Sequence, residues 1–215
     1  MAYIGQAPAN KPVSGSDLDA TVITGQTALS TAPADTDEFL ISDAGVLKRL
    51  DASLIGGGKI GQVISTTKTD TFSSSSTSLT DITGLSAAIT PSASSSKVLV
   101  LVSINVTITE DDRFFALQLL RGSTAISIGD SSSSRTNASL FGVQGDYSGD
   151  TTNIHTKSIV FLDSPSTTSA TTYKMQGLAQ SDSSPSFVVN RSGGDADAVH
   201  GGRTASSITL LEVLA

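Results

Sequence analysis

Lys97–Thr109, KVLVLVSINVTIT, is the stretch that decides the fold. Val98, Val100, Val102, Ile104, Val106 and Ile108 occupy alternate positions, and every one is aliphatic. Leu99, Leu101, Ser103, Asn105, Thr107 and Thr109 lie between them, a set that begins apolar and turns polar. Successive side chains of a strand point to opposite faces. The aliphatic set is therefore expected to face a core, and the mixed set to face the other way.

Working outward, residues 59–215 read as an all-β sandwich. Strands are expected over Ile60–Thr67, Leu79–Leu85, Ala87–Thr90, Phe114–Leu120, Ala125–Ile128, Asn137–Gln144, His155–Leu162, Thr171–Ala179, Ser186–Asn190 and Ser206–Val213. Turn residues separate them at the spacing of a sandwich. Pro91 closes the short strands around Gly84, and Arg121-Gly122-Ser123-Thr124 reads as a hairpin loop. The Ser clusters at 73–76, 94–96 and 131–134 fit loops at the sandwich ends. Helical periodicity is nowhere sustained, and no repeat of 20–50 residues is visible. Phe161, Phe114 and Phe115 are the larger core candidates in a chain with 5% aromatics and no Trp.

Upstream, DTDEFLISDAGVLKRLDASLI (35–55) reads as a β-hairpin turning at Asp43-Ala44-Gly45. An isolated hairpin is marginal in water because it has no second layer. Phe39, Ile41, Val46 and Leu50 need one, so these residues are expected to pack in a stem between copies of the chain. Gly56-Gly57-Gly58 reads as a hinge. Residues 1–34 carry Pro8, Pro12 and Pro33 and little apolar weight, so they are extended and order by docking on a larger partner, or remain a disordered leader. Tyr3-Ile4 is the candidate anchor. The organisation is thus an extended segment (1–34), a hairpin stem with its Gly hinge (35–58) and a β-sandwich (59–215).

Composition removes several functions. Net charge is −7, and the 13 basic residues are scattered, which excludes nucleic acid as the main partner. The same charge disfavours an anionic membrane surface, and no stretch approaches the ~20 apolar residues of a helical span. Cysteine is absent, so disulfides, Cys nucleophiles and Cys-based zinc sites are excluded. The N-terminus has neither the basic start nor the apolar run of a signal peptide, so a soluble chain is expected. Charged residues are 15%, against about 25% in an average soluble protein. Ser, Thr and Gly supply polarity instead, which suits packing between subunits because few charges must be desolvated.

Chemistry-bearing motifs are sparse. His155 and His200 are the only histidines, and no G-x-S-x-G elbow accompanies them. Gly56-Gly57-Gly58-Lys59-Ile60 lacks the spacing, the Ser/Thr and the helix of a phosphate loop. The acidic loops at 110–112, 145–150 and 195–197 read as solvated; Asp195 and Asp197 would be the best placed for calcium. Three Asn-x-Ser/Thr matches are expected by chance in a chain this rich in Ser and Thr. No enzymatic activity, cofactor or metal is expected. Tyr147, in the loop GDYSGD, is the candidate receptor contact, since an aromatic among small polar groups suits surface recognition, sugar stacking included.

Several segments carry a family likeness. MAYIGQAPANKPV, DTDEFLISDAGVLKRL, GQVISTTKTDTF, LTDITGLSAAITPSASSSKVLVLVSINV, LLRGSTAISIGD, TYKMQGLAQSD and RTASSITLLEVLA together resemble short fibre proteins of tailed bacteriophages. The resemblance implies a virion protein of tail or capsid surface. Tyr3, Ile4 and Pro8 would sit against another virion component, and the hairpin would form a short stem on a threefold axis. Residues 59–215 would be a jelly-roll-like head in a homotrimer, presenting loops to a host-surface glycan or protein. The stem is short for a long tail fibre, which keeps a capsid decoration protein without a receptor role in view. A monomeric β-sandwich carbohydrate-binding module is the alternative of another class.

Overall fold

A computed structural model describes residues 27, 33–34, 36–44, 46–55, 59–143, 152–180 and 185–215. The chain forms two compact units, Met1–Gly57 and Gly58–Ala215. The described residues are almost entirely strand and connecting turn, as the alternation in the sequence leads one to expect.

In the first unit, β1 (Glu38–Asp43) pairs antiparallel with β2 (Val46–Asp51) in the register Phe39↔Leu50, Ile41↔Lys48, Asp43↔Val46. Ala44 enters the turn at φ 49, the left-handed region that such a two-residue connection uses. A short 3-10 turn, Ala52–Leu54, follows.

The second unit holds β3 (Ile60–Lys68), β4 (Phe72–Ser74), β5 (Thr80–Ile89), β6 (Lys97–Ile108), β7 (Phe114–Arg121), β8 (Thr124–Ile126), β9 (Leu140–Val143), β10 (His155–Asp163), β11 (Thr171–Ala179), β12 (Phe187–Val189) and β13 (Ser206–Val213). Two differences from the sequence reading have local causes. The region 79–90 is one strand, because Gly84 at φ 83 allows β5 to bulge: Lys174 faces Ser86, yet Gln176 faces Asp81. Phe72–Ser74 is a strand that its Ser-rich sequence conceals; Phe72 packs on Phe187 with ring centroids 5.7 Å apart.

Register reveals the topology. β13 runs along β6 from Lys97 to Ser103, and β12 continues the same lane from Val106 to Ile108. β3 and β4 likewise form one lane beside them, and β10 takes the other edge of β6. In the second sheet β11 lies between β5 and β7. The far edge of β7 is shared by β9 and β8. Counted in chain order, the lanes run first-eighth-third-sixth in one sheet and second-seventh-fourth-fifth in the other. That wrapping is a jelly roll.

The core lies between these sheets. Val98, Val100, Val102, Ile104, Val106 and Ile108 are all buried, as the alternation requires. Ile208, Leu210 and Phe187 join them from the same sheet; Leu85, Ile89, Phe115, Leu117, Leu119, Tyr173 and Met175 come from the other. Of the three phenylalanines singled out from sequence, Phe115 is central and Phe161 partly buried, while Phe114 lies on the outer face against Phe141. Tyr173 and Phe187, both fully buried, take the central places instead. Strand parity decides this: Phe115 faces the core, so its neighbour Phe114 cannot.

Two of the three lane breaks, between β12 and β13 and between β8 and β9, are closed by polar side chains. Between β12 and β13 the chain leaves the sheet for residues 191–205. Asn190, at φ 63 and fully buried, donates from Nδ2 to the carbonyls of Lys68 (2.8 Å) and Asp70 (3.0 Å). The Ser206 hydroxyl donates to Asn190 Oδ1 at 2.6 Å and accepts from the Asn105 amide at 3.0 Å. Between β8 and β9 the chain leaves for residues 127–139. There Ser139 Oγ accepts from the Leu119 amide and donates to the Ile126 carbonyl. These side chains satisfy backbone groups that the departing strand would leave orphaned.

Candidate interaction surfaces

The hairpin unit gathers its sequence-predicted residues on one face. Directly opposed residues of an antiparallel pair share a face. Phe39, Ile41, Val46 and Leu50 therefore stand together, with Phe39 41% and Val46 58% exposed and the other two half-buried. Lys48 pairs with Asp43 at the turn end of this face. On the reverse face Arg49 Nε lies 2.9 Å from Glu38 Oε1, beside Leu40, which is 71% exposed. The hairpin thus neutralises most of its own charge while leaving apolar side chains open. Tyr3, Ile4 and Pro8, Gly56-Gly57-Gly58, and Tyr147 with its GDYSGD loop lie outside the described residues.

A second surface escaped the sequence reading. It is the outer face of the sheet formed by β10, β6, β13 and β3. Leu162 stands opposite Leu99, Leu99 opposite Leu211, and Leu211 opposite Val63. The next row is Val160, Leu101, Thr209 and Ser65; the one after it is Ser158, Ser103, Ser207 and Thr67. The face passes from leucine to serine along the strands. At the leucine end Val213 and Ile60 extend it, and a shallow groove of about 360 Å³ opens among Lys59, Lys97, Leu162, Val213 and Leu214. The signal was present in β6, whose outward positions begin Leu99, Leu101. What the sequence lacked was the register that lines up four distant strands.

The opposite sheet presents different chemistry outward. Asp81 on β5 accepts from Lys174 Nζ at 2.8 Å and Gln176 Nε2 at 2.6 Å on β11, and these bonds, the lysine's first, hold its carboxyl below the usual range. Phe114 and Phe141 stack there at 5.1 Å.

Two buried polar clusters brace the sandwich beneath these faces. At one end Arg121 Nη1 donates to both oxygens of Asp163 at 2.9 Å, and the Tyr173 hydroxyl donates to Asp163 Oδ2 at 2.6 Å. Asp163 belongs to one sheet, Arg121 and Tyr173 to the other, so the cluster ties the sheets together. Burial first, then the Asp163 carboxylate, push the Tyr173 phenol far above its ordinary range, so it remains a donor. Elsewhere Glu212, 1% exposed, accepts from the Ser92 hydroxyl and amide, both at 2.6 Å, and from Gln62 Nε2 at 2.8 Å. Burial pushes its carboxyl up, but these donors outweigh it and hold the group down at about 2.

The candidate chemical groups are dispersed. Asp195, in the acidic loop best placed for calcium, is engaged by Arg203 Nη1 at 2.5 Å and lies 3.8 Å from Arg191 Nε. Among the described residues no group of three or more His, Asp or Glu side chains is placed to hold a metal. His155 begins β10, half-buried, while His200 is exposed in the 191–205 excursion. No described helix is long and apolar enough to cross a membrane.

No protein-family model matches the chain, and no curated protein matches it. Among solved structures, one of infectious bursal disease virus, Gx strain, is similar over 80% of this chain and 40% of its own, at 12% identity and a TM-score of 0.39. The VP2 subviral particle of infectious bursal disease virus is similar over 83% and 43%, at 13% identity and a TM-score of 0.37. The chain spans about two fifths of the length of either. At this distance the likeness carries nothing about function.

Proposed function

We propose that this chain is a structural, non-enzymatic protein of a virus particle: a homotrimeric bacteriophage fibre of tail or capsid surface. Its N-terminal segment, through Tyr3, Ile4 and Pro8, anchors it to another virion protein. The hairpin forms the stem and the jelly roll the head. Tyr147 and neighbouring loops meet a host-surface glycan or protein. Weak contacts repeated over three heads and many fibres raise avidity without a strong single site.

One observation carries this reading. Phe39, Ile41, Val46 and Leu50 share one open face of a two-stranded sheet, and such a sheet needs a second layer to persist in water. Copies of the same face supply that layer. The resemblance of the chain's segments to short phage fibre proteins directs it to the virion. A monomeric carbohydrate-binding module gives the hairpin face no such use.

Light scattering on the purified full chain tests the oligomer. A mass three times the 21.9 kDa chain is expected, falling when Phe39→Asp and Val46→Asp are combined. A single-chain mass at all concentrations would refute the free trimer. Antibody labelling of purified particles under the electron microscope tests the location: label at tail or capsid supports the reading, and unlabelled particles refute it.

A further inference from the structure

We infer that the leucine-rich band on the outer face of the β10–β6–β13–β3 sheet seats a neighbouring copy of this chain, so that heads contact one another in addition to the hairpins. The inference deepens the oligomeric reading above and rests on it.

Size is the first argument. Ile60, Val63, Val160 and Leu162 expose 45, 56, 73 and 47% of their surfaces. With the half-buried Leu99, Leu101 and Leu211 they form a patch on the order of 500 Å², at the top of what a monomer ordinarily leaves open. One partner contributes about 800 Å² to a standard interface, so the band supplies most of a protein–protein contact. It lies on hydrogen-bonded strands rather than on loops, which adds little ordering cost on association.

Charge selects the occupant. The three rows from Leu162 to Thr67 contain no ionisable side chain, although the chain carries a net charge of −7. Lys97 and Lys59 stand only at the rim. A symmetric assembly brings equivalent surfaces close together, and like charges there would repel. A face built from leucine, valine, serine and threonine meets copies of itself without that penalty. The other sheet, with Asp81 and Lys174 outward, lacks this property. The serine rows add hydroxyls that donate and accept equally, as Ser65 and Thr209 already do at 2.8 Å.

The full chain, which has no cysteine of its own, permits a direct test. Val160→Cys places a thiol on the band, and Thr172→Cys places one on the outer face of the other sheet. Maleimide labelling of Val160→Cys is expected to be at least tenfold slower than that of Thr172→Cys at high protein concentration, and to recover on dilution. Val160→Glu with Leu162→Glu is expected to lower the mass seen by light scattering while the circular dichroism spectrum stays unchanged. Equal labelling of the two thiols at every concentration would overturn the inference, as would a doubly substituted chain that folds and keeps the wild-type mass. Protection that appears only when vesicles or glycans are added to single chains would also overturn it, giving the face to that partner. If the glutamate variant fails to fold, the cysteine pair still decides. Should Phe39→Asp with Val46→Asp leave Val160→Cys protected, the heads associate without the stem. Unlabelled particles under the microscope would sink the virion reading and leave this one standing.

Discussion

The Ser206 hydroxyl donates to Asn190 Oδ1 at 2.6 Å, and the two residues together close the gap where the chain leaves the sheet between β12 and β13. Asn190 is fully buried and Ser206 is 1% exposed. Everything from 191 to 205 can therefore leave and return without opening the core to water.

Asn190→Ala should destabilise the protein by roughly 3 kcal/mol, because the carbonyls of Lys68 and Asp70 and the Ser206 hydroxyl lose a buried partner together. Asn190→Gly loses the same bonds but accepts φ 63 without strain, so it should be milder by about 1 kcal/mol. Denaturant unfolding of both variants measures the difference. Equal stability of the wild type and the alanine variant would show that the amide is dispensable.

The clamp between sheets should respond to loss of either partner. Tyr173→Phe removes one hydrogen bond to the Asp163 carboxylate and is expected to cost about 1–2 kcal/mol. Asp163→Asn leaves the Arg121 guanidinium without its charge partner and is expected to cost about 3 kcal/mol. A double-mutant cycle with Arg121→Met should return a coupling energy of at least ~1 kcal/mol. Additive losses would mean that the pair acts only through packing.

Acid should act through Glu212. Its carboxyl is held down at about 2 in the folded chain, against an ordinary 4.5. A depressed folded-state value contributes stability that is full above pH 4.5 and is lost as pH falls towards 2. The contribution is on the order of 3 kcal/mol. Unfolding free energy measured from pH 6 to pH 2 should fall more steeply in the wild type than in Glu212→Gln, whose amide does not titrate. Parallel curves would count against the assignment.

Gly142 is required by the ring beneath it. A Cβ there would lie 2.3 Å from Cζ and 2.7 Å from Cε1 of Phe115, which is itself fully buried. Gly142→Ala should cost roughly 2–3 kcal/mol by overpacking, and Phe115→Leu in the same chain should recover part of it. The melting temperatures of the three variants check this; a neutral Gly142→Ala would show that the ring can move aside at little cost.

Much of the fold was legible because it is local. A period of two in Lys97–Thr109 settles which side chains face inward whatever the strand pairs with, and all six of its aliphatic positions are buried. The hairpin over 35–55 was legible as well, although Asp43 pairs with Val46 instead of lying in the turn, and that register places Phe39, Ile41, Val46 and Leu50 on one face. The absence of cysteine rules out disulfides with no structure at all.

What only the tertiary structure decided depends on residues far apart in the chain. The jelly-roll order arises from pairings such as Leu211 with Leu99 and Leu162 with Leu99, which local propensity does not encode. The same pairings turn two leucines of β6 into a band four strands wide. They also place Tyr173 and Phe187 at the centre and Phe114 outside, since packing of the two sheets decides which face of a strand with apolar residues on both is covered. Asn190 and Ser139 read from sequence only as polar positions within the expected strands Ser186–Asn190 and Asn137–Gln144. They become keystones because their side chains satisfy backbone groups of strands that only the folded sheet brings beside them.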